Sequence, residues 1–215
     1  MEEVRSTRKE RERQRQRQEI MEAALYLFST KGYHNVSMQE VAQKAEFSVG
    51  TIYNFFESKY DLYREILRDY AYKFHDVISD ALEKAQDEIG ALKSYLRAKL
   101  KLFKDNVSLI RLYVRETQGV RLNPKAGMEE DIRMLYSSFI QRLASIFEMG
   151  IKKGIFRSIL TPKQLAIVLE AVSNALLFEW FENPDSNSYP EDENEILRLL
   201  FEPLLTNGGY HVMSS

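Results

Sequence analysis

Residues 37–62, SMQEVAQKAEFSVGTIYNFFESKYDL, decide how the chain is read. Met38, Val41, Ala42 and Ala45 recur at helical spacing, so a first short helix buries one face. Ser37, with Glu40 three residues on, forms a capping box at its start. Glu46, Phe47 and Ser48 interrupt the pattern, and Ser48 is placed to cap a second helix over residues 49–55. Ile52 and Phe55 or Phe56 then face inward, which turns Val49, Gly50, Thr51, Tyr53 and Asn54 toward solvent. Ser58, with Asp61 three residues on, opens a third helix. Two short helices across a tight turn, the second with a small and polar outer face, make a helix-turn-helix. Such a face fits a major groove: a small residue lets the backbone approach, and hydroxyls reach bases or phosphates.

The string Ser37-x-x-x-Val41-Ala42-x-x-Ala45, then Phe47-Ser48-Val49-Gly50-Thr51-Ile52-Tyr53-x-x-Phe56-x-x-Lys59-x-x-Leu62, resembles the DNA-binding signature of the tetracycline-repressor (TetR) family. Upstream, residues 20–32, with Ala24, Leu27, Phe28 and the Gly32-Tyr33 break, are similar to that family's first helix and its exit. The resemblance implies that Ser37 and Gln39 reach phosphates, with Gln39 in range of a base. It implies base reading by Val49, Gly50 and Thr51, beside Ser48 and Asn54, and phosphate clamps at Tyr53 and Lys59. Two positions depart from the pattern. Phe55 stands where many members have His or Tyr, which removes a polar backbone contact that Asn54 is placed to replace. Glu46 stands where the turn commonly has Gly, at a left-handed position costing about 1 kcal/mol for other residues.

The 215 residues suffice for one small and one medium domain. The absence of cysteine excludes disulfides and thiolate metal sites. The charged N-terminus does not read as a secretory signal. The nearly uncharged run 165–178 contains Glu170 and is short for a bilayer span, so neither targeting nor a membrane is expected. A cytoplasmic location is the expectation.

Net charge is only −2, but it is unevenly spread. Residues 5–17 hold Arg5, Arg8, Lys9, Arg11, Arg13, Arg15 and Arg17 against Glu10 and Glu12. Residues 161–215 hold Lys163 and Arg198 against nine acids. A basic end beside the helix-turn-helix suits a one-ended DNA binder. The segment 1–14 reads as a basic N-terminal extension, either laid along DNA or solvated and frayed.

Everything downstream of the DNA-binding domain (15–60) reads helical, giving an all-α chain of about nine helices. Leu62, Ile66, Tyr70, Phe74, Ile78 and Leu82 extend the third helix to about residue 85. Gly90 is read as the break before a helix carrying Leu92, Leu96, Leu100 and Phe103, followed by a shorter one over 107–118 and a loop over 119–127. A helix over 128–153 stops at Gly154. Thr161-Pro162-x-Gln164 opens a helix over 162–182 that is apolar nearly all round, as is residues 193–205. Such helices need core on one side and a subunit on the other, which matches the family's dimer interface through its last two helices. Residues 61–206 are thus expected to bind ligand and dimerise, with a tail over 207–215.

Catalytic and metal chemistry find no support. His34, His75 and His211 lie far apart in sequence, and Glu129-Glu130-Asp131 reads as acids in a helix's first turn. No cofactor is expected. Phe74, Phe103, Tyr113, Phe139 and Phe178 are candidates for an effector pocket or plain core. Asn174, an amide in an apolar helix, is placed to orient a ligand or to satisfy a partner across the interface. The resemblance implies a hydrophobic or amphipathic effector and a dimeric repressor on a palindromic operator. The rival readings are an architectural DNA binder that uses the Arg-rich arm and an enzyme with a helix-turn-helix appendage.

Overall fold

The computed structural model describes residues 7–116, 129–182 and 195–198. Among them the chain forms eight α-helices, a one-turn 3-10 helix over Tyr33–Asn35, a further helical turn at 195–198, and no strand. The helices are α1 (Arg8–Lys31), α2 (Met38–Ala45), α3 (Val49–Tyr53), α4 (Lys59–Glu83), α5 (Glu88–Asp105), α6 (Val107–Glu116), α7 (Glu130–Lys152) and α8 (Pro162–Glu182). The loop expected at 119–127, most of the helix expected at 193–205 and the tail lie outside the described residues.

The chain divides into two compact units, Met1–Lys73 with Asp105–Ile132, and Phe74–Lys104 with Arg133–Ser215. In the first, α1, α2, α3 and the start of α4 enclose Ile20, Phe28, Val41, Ile52, Phe56 and Leu62, none more than 1% exposed. Leu109 and Leu112 of α6 join the same core. The sequence reading drew a boundary at residue 60, but this unit also takes in α4 as far as Lys73 and the separate α6 segment.

Most helix ends follow the caps read from sequence. Ser37 and Glu40 form their box, Ser48 Oγ accepts the Thr51 amide at 3.0 Å, and Ser58 Oγ accepts the Asp61 amide at 3.0 Å. Thr161 and Gln164 close the start of α8, and Gly154 follows α7 at φ 73°. Glu46 does stand in the left-handed region, at φ 61° and ψ 31°.

Three boundaries differ, each for a local reason. The basic segment expected as an extension is helical from Arg8, because Thr7 and Glu10 form a reciprocal capping box. Arg15, paired with Glu12 and Glu19, supports those turns. α3 stops at Tyr53 rather than Phe55, since the Phe55 and Phe56 amides both turn back to the Ile52 carbonyl at 3.0 Å. Gly90 is no break: it lies in the first turn of α5, its amide held by Asp87 Oδ1 at 2.7 Å, and the interruption is residues 84–87.

In the second unit, Tyr95, Leu92, Leu143, Phe147 and Leu169 are almost fully buried. Among them lies an ionic group. Lys99 Nζ donates to Glu170 Oε2 at 2.6 Å, to Ser173 Oγ at 2.8 Å and to Tyr95 Oη at 3.0 Å. Tyr95 also donates to Glu170, and Asn174 Nδ2 donates to the other Glu170 oxygen at 2.9 Å. Burial pulls the Lys99 ammonium below the usual lysine range, while the Glu170 carboxylate acts to raise it. By length and composition the whole of α8 is long and apolar enough to cross a bilayer, and 33% of its apolar window is buried.

Two outcomes follow. Glu46→Gly should stabilise the protein by about 1 kcal/mol in urea unfolding, because glycine adopts that backbone without Cβ strain. Lys99→Met should cost about 3 kcal/mol or more by stranding the Glu170 charge, whereas Lys99→Met/Glu170→Leu should lose less than the single variant.

Candidate nucleic-acid interface

The helix-turn-helix presents one polar face over an apolar back. On α3, Ile52 is fully buried and Phe56 beyond it is 1% exposed. Tyr53 projects outward at 51% exposure, with Asn54 and Gly50 also exposed. A Cβ at Gly50 would meet nothing closer than Ser48 Oγ at 3.8 Å, so the backbone there is open to a surface brought against it. Ser48 Oγ and Thr51 Oγ1 share a hydrogen bond of 2.8 Å, which orients both hydroxyls at the helix N-terminus. Val49 is half-buried and leans on the core, so only part of its side chain remains for a thymine methyl.

At the start of α2, Gln39 is exposed. Ser37 Oγ accepts the Glu40 amide at 3.2 Å and donates to Glu40 Oε2 at 3.0 Å, so its hydroxyl already serves the cap. Lys31 donates to Glu40 Oε1 at 2.7 Å. That ammonium, with the Ser37 amide and hydroxyl, holds the Glu40 carboxyl down at about 2. The side chain that would repel a phosphate is thereby tied to a cation.

Lys59 behaves differently from the expected phosphate clamp. Its ammonium donates to the carbonyls of Val36 at 2.8 Å, Tyr33 at 2.9 Å and His34 at 3.4 Å, and lies 4.6 Å from the Tyr33 ring centre. An ammonium has three protons, and all three point into the loop that leads to α2. Lys59 therefore ties the first turn of α4 to that loop. A phosphate would have to compete with those carbonyls.

Other charges near the head have partners that the sequence did not indicate. Arg13 places its guanidinium 5.6 Å from the Phe55 ring centre, so the position lacking a polar side chain has a cation stacked on it from α1. Arg17 stacks on Phe56 and pairs with Glu65. Glu129 and Asp131, expected only to suit a helix dipole, bind Arg64 and Arg68 of α4. Arg64 accordingly holds the Glu129 carboxyl below its ordinary value.

The expected effector residues are divided between the two units. Tyr113 lies on α6 in the first unit, while the rest lie in the second. There Phe74 and Tyr95 pack on Phe139 at 6.0 and 5.6 Å, and Phe103 is ringed by Phe178, Trp180 and Phe181 at 5.8, 6.3 and 6.1 Å. Asn174 turns its amide to Glu170. Tyr95, Lys99, Glu170 and Ser173 were missed; the signal was a lysine one turn beyond Tyr95 and Leu96 on an apolar stripe, and a glutamate inside an uncharged run. An open cleft of about 400 Å³, lined by Asp87, Ile89, Gly90, Lys93 and Ile155, includes none of the expected residues.

Lys59→Ala should lower stability by about 1–3 kcal/mol, since it orphans carbonyls in a part-buried loop. Thermal unfolding without DNA checks it, and an unchanged melting temperature would return Lys59 to the phosphate role.

Residues 20–66 match the family described as bacterial regulatory proteins, tetR family. Over 189 residues the chain is 26% identical to the HTH-type transcriptional regulator YhgD of Bacillus subtilis, spanning 88% of this chain and 94% of that protein. It is 25% identical to the HTH-type transcriptional repressor DhaR of Mycobacterium sp. strain GP1, over 87% and 91% of the two chains. Its fold is similar to that of the transcriptional regulator FadR from Bacillus subtilis, solved with stearoyl-CoA, at a TM-score of 0.66 and 17% identity over 87% and 99% of the chains. Residues 20–66 thus form a DNA-binding domain of the tetR family, and over most of its length the chain is similar to transcriptional regulators that carry such a domain.

Proposed function

We propose that the chain is a one-component repressor that binds a palindromic operator as a dimer and is released by a hydrophobic or amphipathic effector. The observation that carries the DNA reading is the open backbone at Gly50, flanked by outward Thr51 and Tyr53 and fixed from behind by buried Ile52. A helix with that profile enters a major groove, with Tyr53 toward phosphate and Thr51 toward base edges. Gln39 and Asn54 flank it. The repressor sign follows the likeness to DhaR.

Dimerisation is supported by the outer face of α8. Ile167 and Val168 are 46% and 39% exposed, and Ala171 and Ala175 are exposed on the same side. The opposite side carries Glu170, paired with Lys99. A helix with a buried ion pair on its inner face and small apolar residues outside suits a second copy better than lipid. We place the protein in the cytoplasm accordingly. Residues 61–206 would hold the dimer contact and the effector. A fatty-acyl effector is the leading class, because the similar fold of FadR was solved with stearoyl-CoA. Such a ligand shifts operator occupancy only by binding one conformational state more tightly than the other.

Selection of bound sequences from a random duplex pool should recover a palindrome with half-sites about one helical turn apart. Tyr53→Phe should weaken binding to it while leaving the melting temperature unchanged. Addition of stearoyl-CoA should release the duplex. No sequence enrichment would favour an architectural binder. Val168→Glu/Ala171→Glu should shift the sedimentation coefficient to that of a monomer; a retained dimer would move the interface off α8.

A further inference from the structure

The first turns of α1 bury no side chain of their own. Every residue from Thr7 to Arg15 is exposed, and the first buried side chain is Ile20. A helix of that length has no stability of its own in water, yet three devices hold this one. Thr7 and Glu10 cap it, Arg15 is paired on both sides with Glu12 and Glu19, and α1 continues unbroken into the core. Arg13 then fixes its placement. Its guanidinium lies over Phe55, which directly follows Tyr53 and Asn54 of the reading face, and both belong to the same compact unit.

The balance of charge on this projection is positive. Residues 8–13 carry Arg8, Lys9, Arg11 and Arg13 against Glu10 and Glu12, and Glu10 and Glu12 are occupied by the cap and by Arg15. From Arg8 to Ile20 the helix rises about 18 Å at 1.5 Å per residue. That matches the axial rise of about five base pairs of duplex DNA.

We propose that residues 8–15 form a second, rigid DNA-contact element, a helix that lays Arg8, Lys9 and Arg11 along phosphates beside the bases read by α3, with Arg13 on Phe55 holding it there. It deepens the DNA reading of α3 and rests on it only for the choice of partner. Phosphate contacts of this kind add affinity and fix register without carrying sequence information.

The test measures binding of the full chain and two variants to a mixed-sequence duplex, and to the sequence recovered by selection, across a salt series. Arg8→Gln/Lys9→Gln/Arg11→Gln removes three charges and keeps good helix formers. Gln16→Pro keeps every charge but breaks the helix before the packed part begins. Each phosphate contact adds about 0.9 to the slope of log affinity against log salt. The slope of the triple variant is expected to fall by about 2 to 3 on both duplexes, with helicity and melting unchanged. Gln16→Pro is expected to lose a similar share. An unchanged slope in the triple variant overturns the proposal. A full slope in folded Gln16→Pro also overturns it, because a flexible charged chain would then suffice. If Gln16→Pro fails to fold, the triple variant alone decides. Slope losses without sequence selection would sink the repressor reading and leave this one standing.

Discussion

A helix of five residues cannot hold itself together, because one helical turn costs more in ordered backbone than its hydrogen bonds return. α3 is such a helix, so its shape is imposed from outside. Ile52 and Phe56 sink into the core on one side, and Ser48 closes the N-terminus. The Ile52 carbonyl gathers the two amides that follow. With the back anchored at those points, Gly50, Thr51 and Tyr53 have one direction left to face. DNA reading thus depends on packing behind α3 as much as on the side chains in front of it.

The two units solve different problems with charge. In the first, cations are placed on carbonyls, rings and carboxylates at the edge of an apolar core: Lys59 on the loop before α2, Arg13 and Arg17 on Phe55 and Phe56, Arg64 and Arg68 on Glu129. The arginine contacts are half-exposed and set orientation more than stability; Lys59, on part-buried carbonyls, contributes to both. In the second, Lys99 and Glu170 are buried together with every strong donor and acceptor paired. A buried pair of this kind contributes little net stability, but it penalises packing arrangements that would separate the charges.

What was legible beforehand has a common physical basis. Ser37 with Glu40, Ser48, Ser58 with Asp61, and Thr161 with Gln164 act within four residues of chain, so sequence spacing alone places them. The inward turn of Ile52 follows from helical period in the same way. Thr7 with Glu10 obeys the same rule and was overlooked only because the surrounding charge suggested a frayed arm. Lys59, Arg13 and Lys99 are another matter. Each is defined by a partner 23 to 74 residues away, which spacing does not encode. The aromatic candidates fell into two ring groups for that reason: their helical spacing was real, but it said nothing about which rings share a neighbour.

α6 gives the first unit an unusual construction. Leu109 and Leu112 complete a core whose other members all lie before residue 67. The first unit is therefore a body sewn from two lengths of chain, with α4 running out of it past Lys73 and α6 returning. Recombination that exchanges only the N-terminal stretch would pair a foreign three-helix head with this α6 and leave mismatched apolar surfaces at its heart. The helix-turn-helix and α6 of this chain are thus inherited less as separable modules than as a matched set.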